Sequence, residues 1–324
     1  MRLVVPRDPV LLQNLFAARD VALNCALTAL ANHATPEPDT NNESGPKPMG
    51  AQGISTLAND QDRDLITTLE TAAIAAGKAI LAVRAEGASV VVKSDSSPVT
   101  QADRIAEQLI LDVLASRYPH IPVVAEELAE AGKCPGTARG EFFLVDALDG
   151  TKDFIAGRAD FTVNIALVRD QYPAAGVVYA PAHGRMWSGF GDVAHVSEVS
   201  AEGEITSRTQ IRTRPLPKLP VALVSISHRE PATEEWLKRL SDYETQNVGS
   251  SLKFCLLAEG RADVYPRLVC LKQWDIAAGD AVLRAAGGAT LSLEGVPLSY
   301  GVEGSDFRCS QFVGWGRTPN APAG

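Results

Sequence analysis

The chain has 324 residues, 45% of them hydrophobic and 21% charged, which is ordinary for a globular protein and large enough for one big domain or two of roughly 100–200 residues. Thirty Lys and Arg against 39 Asp and Glu leave a net charge of −9, which excludes a general nucleic-acid binder because that function needs a basic face. Five scattered cysteines without a C-x-x-C pair, and five His without H-E-x-x-H, argue against a disulfide frame or a zinc site. They point instead to reduced thiols in the cytoplasm.

In chain order, the first predicted element is a helix opening at Asp8 and Pro9, a capping residue followed by a proline at the first helical position. Leu12, Phe16, Leu23, Leu27 and Leu30 form its apolar stripe. Asn14, Arg19 and Asp20 interrupt the apolar run, so neither a secretion signal nor a transmembrane span is expected. Residues 33–53 are rich in Pro, Asn and Gly and too poor in large apolar side chains to offset the entropy of ordering. Residues 1–56 are therefore read as an extension, a short helix plus a flexible linker. A peripheral contact with a partner or the inner face of the cell membrane is its functional alternative.

The compact body follows. Ile66, Leu69, Ala73 and Ile80 predict one helix, and Ile105, Leu109, Val113 and Leu114 a second that ends before Pro119. The period then changes: residues 142–145, 162–168 and 174–179 read as strands, with 169–173 as the intervening turn, and 185–188 adds another. Residues 221–225 open a further section, and 277–286 reads as a helix closed by Gly287 and Gly288. This mixture predicts an α/β layered sandwich of the α+β type, divided as 57–215 (metal-binding half), 216–318 (substrate-binding half) and a tail at 319–324.

The strongest chemical signal is Asp146-Ala147-Leu148-Asp149-Gly150-Thr151 directly after a predicted strand. Two carboxylates three residues apart converge if the chain turns, Gly150 permits a tight turn, and Thr151 offers a hydroxyl; hard cations such as Mg²⁺ take oxygen ligands of this kind. The competing reading is a plain acidic turn. Glu126 and Glu127 follow the apolar stretch 121–125, and Asp275 opens a predicted helix. Alone, these would be a solvated pair and a helix cap. Together, Glu126, Asp146, Asp149 and Asp275 carry enough charge for two or three Mg²⁺. The glycine pattern at 189–194 is better explained as a turn between strands, and no phosphate-binding P-loop sequence occurs.

The segments Ala125-Glu126-Glu127, Leu144 to Lys152 and Trp274 to Gly279 resemble the inositol monophosphatase superfamily. The segments 161–167, 176–181 and 249–254, with Tyr265-Pro266-Arg267, are similar to its CysQ-type 3′(2′),5′-bisphosphate nucleotidases. Ala147 stands where Pro is commoner, and residues 1–60 have no counterpart. The resemblance implies alternating helix and mixed-sheet layers of the inositol monophosphatase/fructose bisphosphatase type. It further implies lithium-sensitive, Mg²⁺-dependent conversion of 3′-phosphoadenosine 5′-phosphate to AMP and phosphate, a sulfate-assimilation task.

By the same resemblance, Glu126, Asp146 and the Leu148 carbonyl hold one Mg²⁺, Asp146, Asp149 and Asp275 a second, and Glu126 helps a weaker third. Asp103, whose competing role is a helix cap, pairs with Thr151 to orient and deprotonate the attacking water. The Gly150 and Thr151 amides meet the phosphate, which also lies against Glu126, Leu148, Asp149 and Asp275. Lys253 and Arg267 are candidates for the second phosphate, Ser250 and His228 for ribose or phosphate. Activity on inositol phosphates or fructose bisphosphate is the alternative within the superfamily. A catalytically silent metal- or nucleotide-binding regulator is the alternative of another class.

Overall fold

The computed structural model describes residues 60–87, 90–92, 98–137, 140–225, 231–302 and 304–318. The expected extension 1–56, the tail 319–324 and His228 lie outside the described residues. Helix α1 (Asp60–Glu86) buries Leu65, Leu69, Ala72, Ala76, Ile80 and Val83, a stripe at helical spacing. It is long and apolar enough to cross a bilayer, but that stripe packs inside the protein, against helix α2 (Gln101–Arg117) and a sheet. A short hairpin, β1 (Val90–Val92) and β2 (Pro98–Thr100), leads into α2.

The main sheet has seven strands in chain order: β3 (Val123–Ala125), β4 (Glu141–Asp149), β5 (Thr162–Arg169), β6 (Tyr172–Ala180), β7 (Arg185–Phe190), β8 (Val193–Val199) and β9 (Ile205–Ile211). Only β3 and β4 run parallel; the remaining neighbours are antiparallel. Both faces are covered near β4 to β6, which is why those segments read as unbroken apolar runs. Phe143, Val145, Val163, Ile165 and Val177 face α1 and α2, while Phe142, Leu144, Ala166 and Val178 face the opposite core.

That opposite core contains α6 (Leu252–Ala258) and α7 (Ala277–Ala285). Behind it lies a second sheet, ordered β11-β10-β12-β14-β13: β10 (Val221–Val224), β11 (Glu244–Asn247), β12 (Val264–Arg267), β13 (Ala289–Ser292) and β14 (Phe312–Trp315). Helix α5 (Pro231–Leu237) closes its outer face through Trp236 and Leu237. The result is alternating helix and mixed-sheet layers, as expected. The chain passes from the first sheet to the second between Ile211 and Val221.

Two local expectations are corrected. The turn at 169–173 is tighter: β5 runs through Arg169, β6 begins at Tyr172, and Asp170 and Gln171 alone turn the chain at φ 48° and 67°, the geometry of a two-residue hairpin. The strand expected at 142–145 continues to Asp149, so the acidic motif lies on the strand. Helix α7 sits close on the sheet because a Cβ at Gly176 would meet Ala278 O at 2.5 Å, and one at Gly189 would meet Val282 Cα at 2.7 Å.

Candidate active site

In a regular strand, residues three apart point to opposite faces. Asp146 and Asp149 escape this because the β4–β5 register shifts between them: the extra residue of a bulge re-aims Asp149. Asp146 is buried and accepts the Leu148 amide at 3.0 Å. Gly150 then turns at φ 93° and precedes the short helix α4 (Thr151–Ile155). A Cβ there would meet Asp160 O at 2.9 Å, so only glycine fits both the conformation and the space.

Glu126 starts the five-residue helix α3 (Glu126–Glu130) at the end of β3. With Glu127 and Glu130 it forms an acidic group whose oxygens lie within 4.8 Å of one another. Asp275 ends a 3-10 turn (Gln273–Asp275) before α7, and its Oδ2 accepts the Lys272 amide at 3.1 Å. Its backbone carbonyl accepts from Ser251 Oγ at 2.7 Å. Glu126, Asp149, Thr151 and Asp275 line one cavity of about 460 Å³, together with Gly150, Ser250, Lys253 and Arg267.

The electrostatics fit a cation site. Burial first, and then the charges of Glu126, Asp149 and Asp275, push the Asp146 carboxyl well above the usual carboxylate range. Asp275 is raised in the same way by burial, Asp149 and Glu126. Among the described residues no ion pair neutralises Asp146, Asp149 or Asp275. Buried like charges of this kind require a counter-charge, and an all-oxygen donor set suits Mg²⁺.

Asp103 and Thr151 are brought together from separate elements: Thr151 Oγ1 lies 3.1 Å from Asp103 Oδ1 and 3.1 Å from the Leu148 carbonyl. Asp103 also helps to cap α2, its Oδ2 accepting from the Thr100 amide and hydroxyl, each at 2.7 Å. The helix begins at Gln101 with Thr100 as its N-cap, so Asp103 is not the cap of a helix starting near Arg104 but the third-position partner of a capping box, with its second oxygen left to face Thr151. Burial raises its proton affinity against these hydrogen bonds.

Ser250 and Lys253 have duties that sequence reasoning did not anticipate. Ser250 sits at φ 52° and donates to Asp149 Oδ2 at 2.6 Å, joined by the Ser251 amide at 2.9 Å. A non-glycine residue in that region is uncommon, and here it serves to hold a carboxylate. Lys253 is buried, donates to the Ser250 and Val248 carbonyls at 2.7 and 3.2 Å, and lies 5.1 Å from the Tyr265 ring centre. Burial lowers its pKa to about 8. Arg267 is half-buried on the cavity wall, and its Nε has no hydrogen-bond partner among the described residues.

Ser251, Asn164 and Thr162 were missed as a supporting network. Asn164 Nδ2 donates to Ser251 Oγ at 3.1 Å, and the Thr162 hydroxyl meets Ser250 Oγ at 2.6 Å. Thr162 and Asn164 show in the sequence as polar residues inside an apolar strand pattern, and Ser251 only as part of the segment 249–254.

A family model described as the inositol monophosphatase family matches residues 61–311. The chain is 42% identical over 231 residues to the 3′(2′),5′-bisphosphate nucleotidase CysQ of Escherichia coli O157:H7, covering 69% of this chain and 89% of that protein. It is 36% identical over 213 residues to the CysQ of Buchnera aphidicola, covering 65% of this chain and 77% of that one. The crystal structure of CysQ from Bacteroides thetaiotaomicron aligns with a TM-score of 0.68 at 32% identity, over 80% of this chain and 99% of that chain. Carried by these matches and by the acidic cavity they surround, the conclusion is that this chain belongs to the inositol monophosphatase family.

Proposed function

We propose that the protein is a Mg²⁺-dependent phosphatase acting on 3′-phosphoadenosine 5′-phosphate, releasing the 3′-phosphate and leaving AMP. The observation that carries this reading is one cavity with two chemistries on its walls. Glu126, Asp149, Asp275 and Thr151, the last backed by Asp103, line it with acidic and hydroxyl groups, and Arg267 and Lys253 bring positive charge to it. The first set suits a scissile phosphate and the second an additional anionic group. The names of the CysQ relatives support the same substrate.

Glu126, Asp146, Asp149, Asp275 and the Leu148 carbonyl would hold two ions, with Glu126 contributing to a third. Bound Mg²⁺ supplies the Lewis acidity that neutralises phosphoryl oxygens and acidifies the attacking water. Thr151 Oγ1 orients that water and passes its proton toward Asp103 Oδ1, a carboxylate whose proton affinity burial has already raised. Gly150 and Thr151 place backbone amides at the cavity wall, where negative charge grows as the ester bond breaks. A cytoplasmic location belongs to the same proposal, since five scattered cysteines without a C-x-x-C pair suit a reducing compartment. Lithium is expected to inhibit.

The test is phosphate release from 3′-phosphoadenosine 5′-phosphate, inositol 1-phosphate and fructose 1,6-bisphosphate, with and without Mg²⁺. The adenosine bisphosphate should have the highest kcat/KM. A preference for inositol 1-phosphate would overturn the substrate assignment while leaving a metal-dependent phosphatase. Arg267→Met should cost the bisphosphate roughly ten- to a hundredfold, from a lost charge-assisted bond of about 1.5–3 kcal/mol. It should cost a single-phosphate substrate much less. Lys253→Ala should lower both substrates, because Lys253 also anchors the loop that holds Asp149.

A further inference from the structure

Helix α3 carries Glu126 and has only five residues. Its capping position is Ala125, whose side chain offers no acceptor. An isolated turn of this length has no stability of its own, and its first amides need partners. Those partners come from another element. Glu107, on α2, accepts the Glu127 amide on Oε2 at 2.8 Å and the Leu128 amide on Oε1 at 3.1 Å. Glu107 is itself buried, at 4% exposure. A two-oxygen grip on successive amides fixes where the turn sits and also how it is rotated, and so where the Glu126 side chain leaves the backbone.

Glu107 lies four residues after Asp103, one turn along the same helix and about 6 Å further on. Asp103 grips Thr151 on α4, and Glu107 grips the start of α3. One rigid helix of 17 residues therefore spaces the proton-accepting pair from Glu126. We propose that Glu107 is a positioning residue that caps α3 from across the structure, holding Glu126 in the orientation that binds Mg²⁺ and in register with Asp103–Thr151. Burial, with the nearby Glu127 and Glu126 charges, raises the Glu107 carboxyl to about 7, and the two amide bonds act against this.

This inference rests on Glu126 being a Mg²⁺ ligand, so the experiment separates the two. Mg²⁺ binding is measured calorimetrically, without substrate, for the wild type, Glu126→Gln, Glu107→Gln and Glu107→Asp. Gln keeps the shape but replaces one acceptor oxygen by a donor that repels an amide. Asp keeps the charge but is one methylene too short to reach both amides. Each Glu107 variant should weaken Mg²⁺ binding roughly tenfold or more, as supporting residues around ligands typically do. The Mg²⁺ concentration for half-maximal rate should rise in parallel. KM for the bisphosphate at saturating Mg²⁺ should stay within about twofold of wild type, since Glu107 is expected to act through Glu126 and not on substrate. If Gln proves too unstable to purify, the Asp variant carries the same measurement. Unchanged Mg²⁺ affinity with a lowered melting temperature would make Glu107 a fold residue only and overturn the proposal. Normal Mg²⁺ binding by Glu126→Gln would overturn the ligand assignment, and the proposal with it.

Discussion

Thr151 shows how much one hydroxyl can settle. Its Oγ1 lies 3.1 Å from both Asp103 Oδ1 and the Leu148 carbonyl, so it has two acceptors for one proton, and its orientation is set before substrate arrives. Asp103→Asn should lower kcat by roughly 10²–10⁴-fold, the usual range for a positioned proton acceptor, with KM little changed. Thr151→Ala should follow the same pattern, and Thr151→Ser should stay within a few-fold of wild type. Steady-state kinetics at saturating Mg²⁺ decide this. A rise in KM alone would make Thr151 a binding residue. Asp103 was visible in the sequence as either a cap or a catalytic group; the two roles are compatible because its two oxygens have different partners, Oδ2 the start of α2 and Oδ1 the Thr151 hydroxyl.

At the level of the element, α7 illustrates why strand composition matters to the site. The turn before α7 ends at Asp275, and the helix lies against β6 and β7 where Gly176 and Gly189 leave room. Gly176→Val would force its Cβ to within 2.5 Å of the Ala278 carbonyl, lifting the helix. Overpacking of this kind typically costs about 1–3 kcal/mol, or roughly 2–10 °C of melting temperature at this chain size. Activity should fall further than stability alone explains, because Asp275 moves with α7. A thermal melt alongside a rate measurement checks both; an unchanged melt would show that α7 can slide without loss. The glycine pattern at 189–194 holds the Gly191–Asp192 turn between β7 and β8, but Gly189 itself lies within β7, and its packing against α7 depends on Val282, far along the chain, which no local pattern reveals.

Across the whole molecule, the cavity joins β4, α3, α4, the loop before α6 and the turn before α7, so elements from both sheets meet there. Buried like charges oppose that meeting, and a bound cation would relieve them. Mg²⁺ at a hundredfold excess over its Kd should stabilise the fold by about 2.7 kcal/mol, raising the melting temperature by roughly 5–10 °C. Asp146→Asn keeps an oxygen for the Leu148 amide and removes a buried charge. Its metal-free melting temperature should equal or exceed wild type, its Mg²⁺-induced rise should largely vanish, and hydrolysis should be abolished. A full Mg²⁺ response in this variant would remove Asp146 from the ligand set.

The sequence by itself determined the layered fold class and the long helices, because helical and strand periods survive in any context that buries one face or two. It also singled out the carboxylates proposed here as Mg²⁺ ligands, since hard-cation chemistry restricts residue type and the family resemblance marks the positions. Tertiary structure alone decided how those residues act. A bulge, set by pairing with β5, brings Asp146 and Asp149 to one side. A left-handed Ser250 and a buried Lys253 serve the loop that grips Asp149. Glu107, an unremarkable helical glutamate in sequence, reaches across to the amides of α3. Apart from the local bonds of Lys253, these depend on hydrogen bonds between residues distant in sequence, and periodicity carries no record of which distant partner completes them.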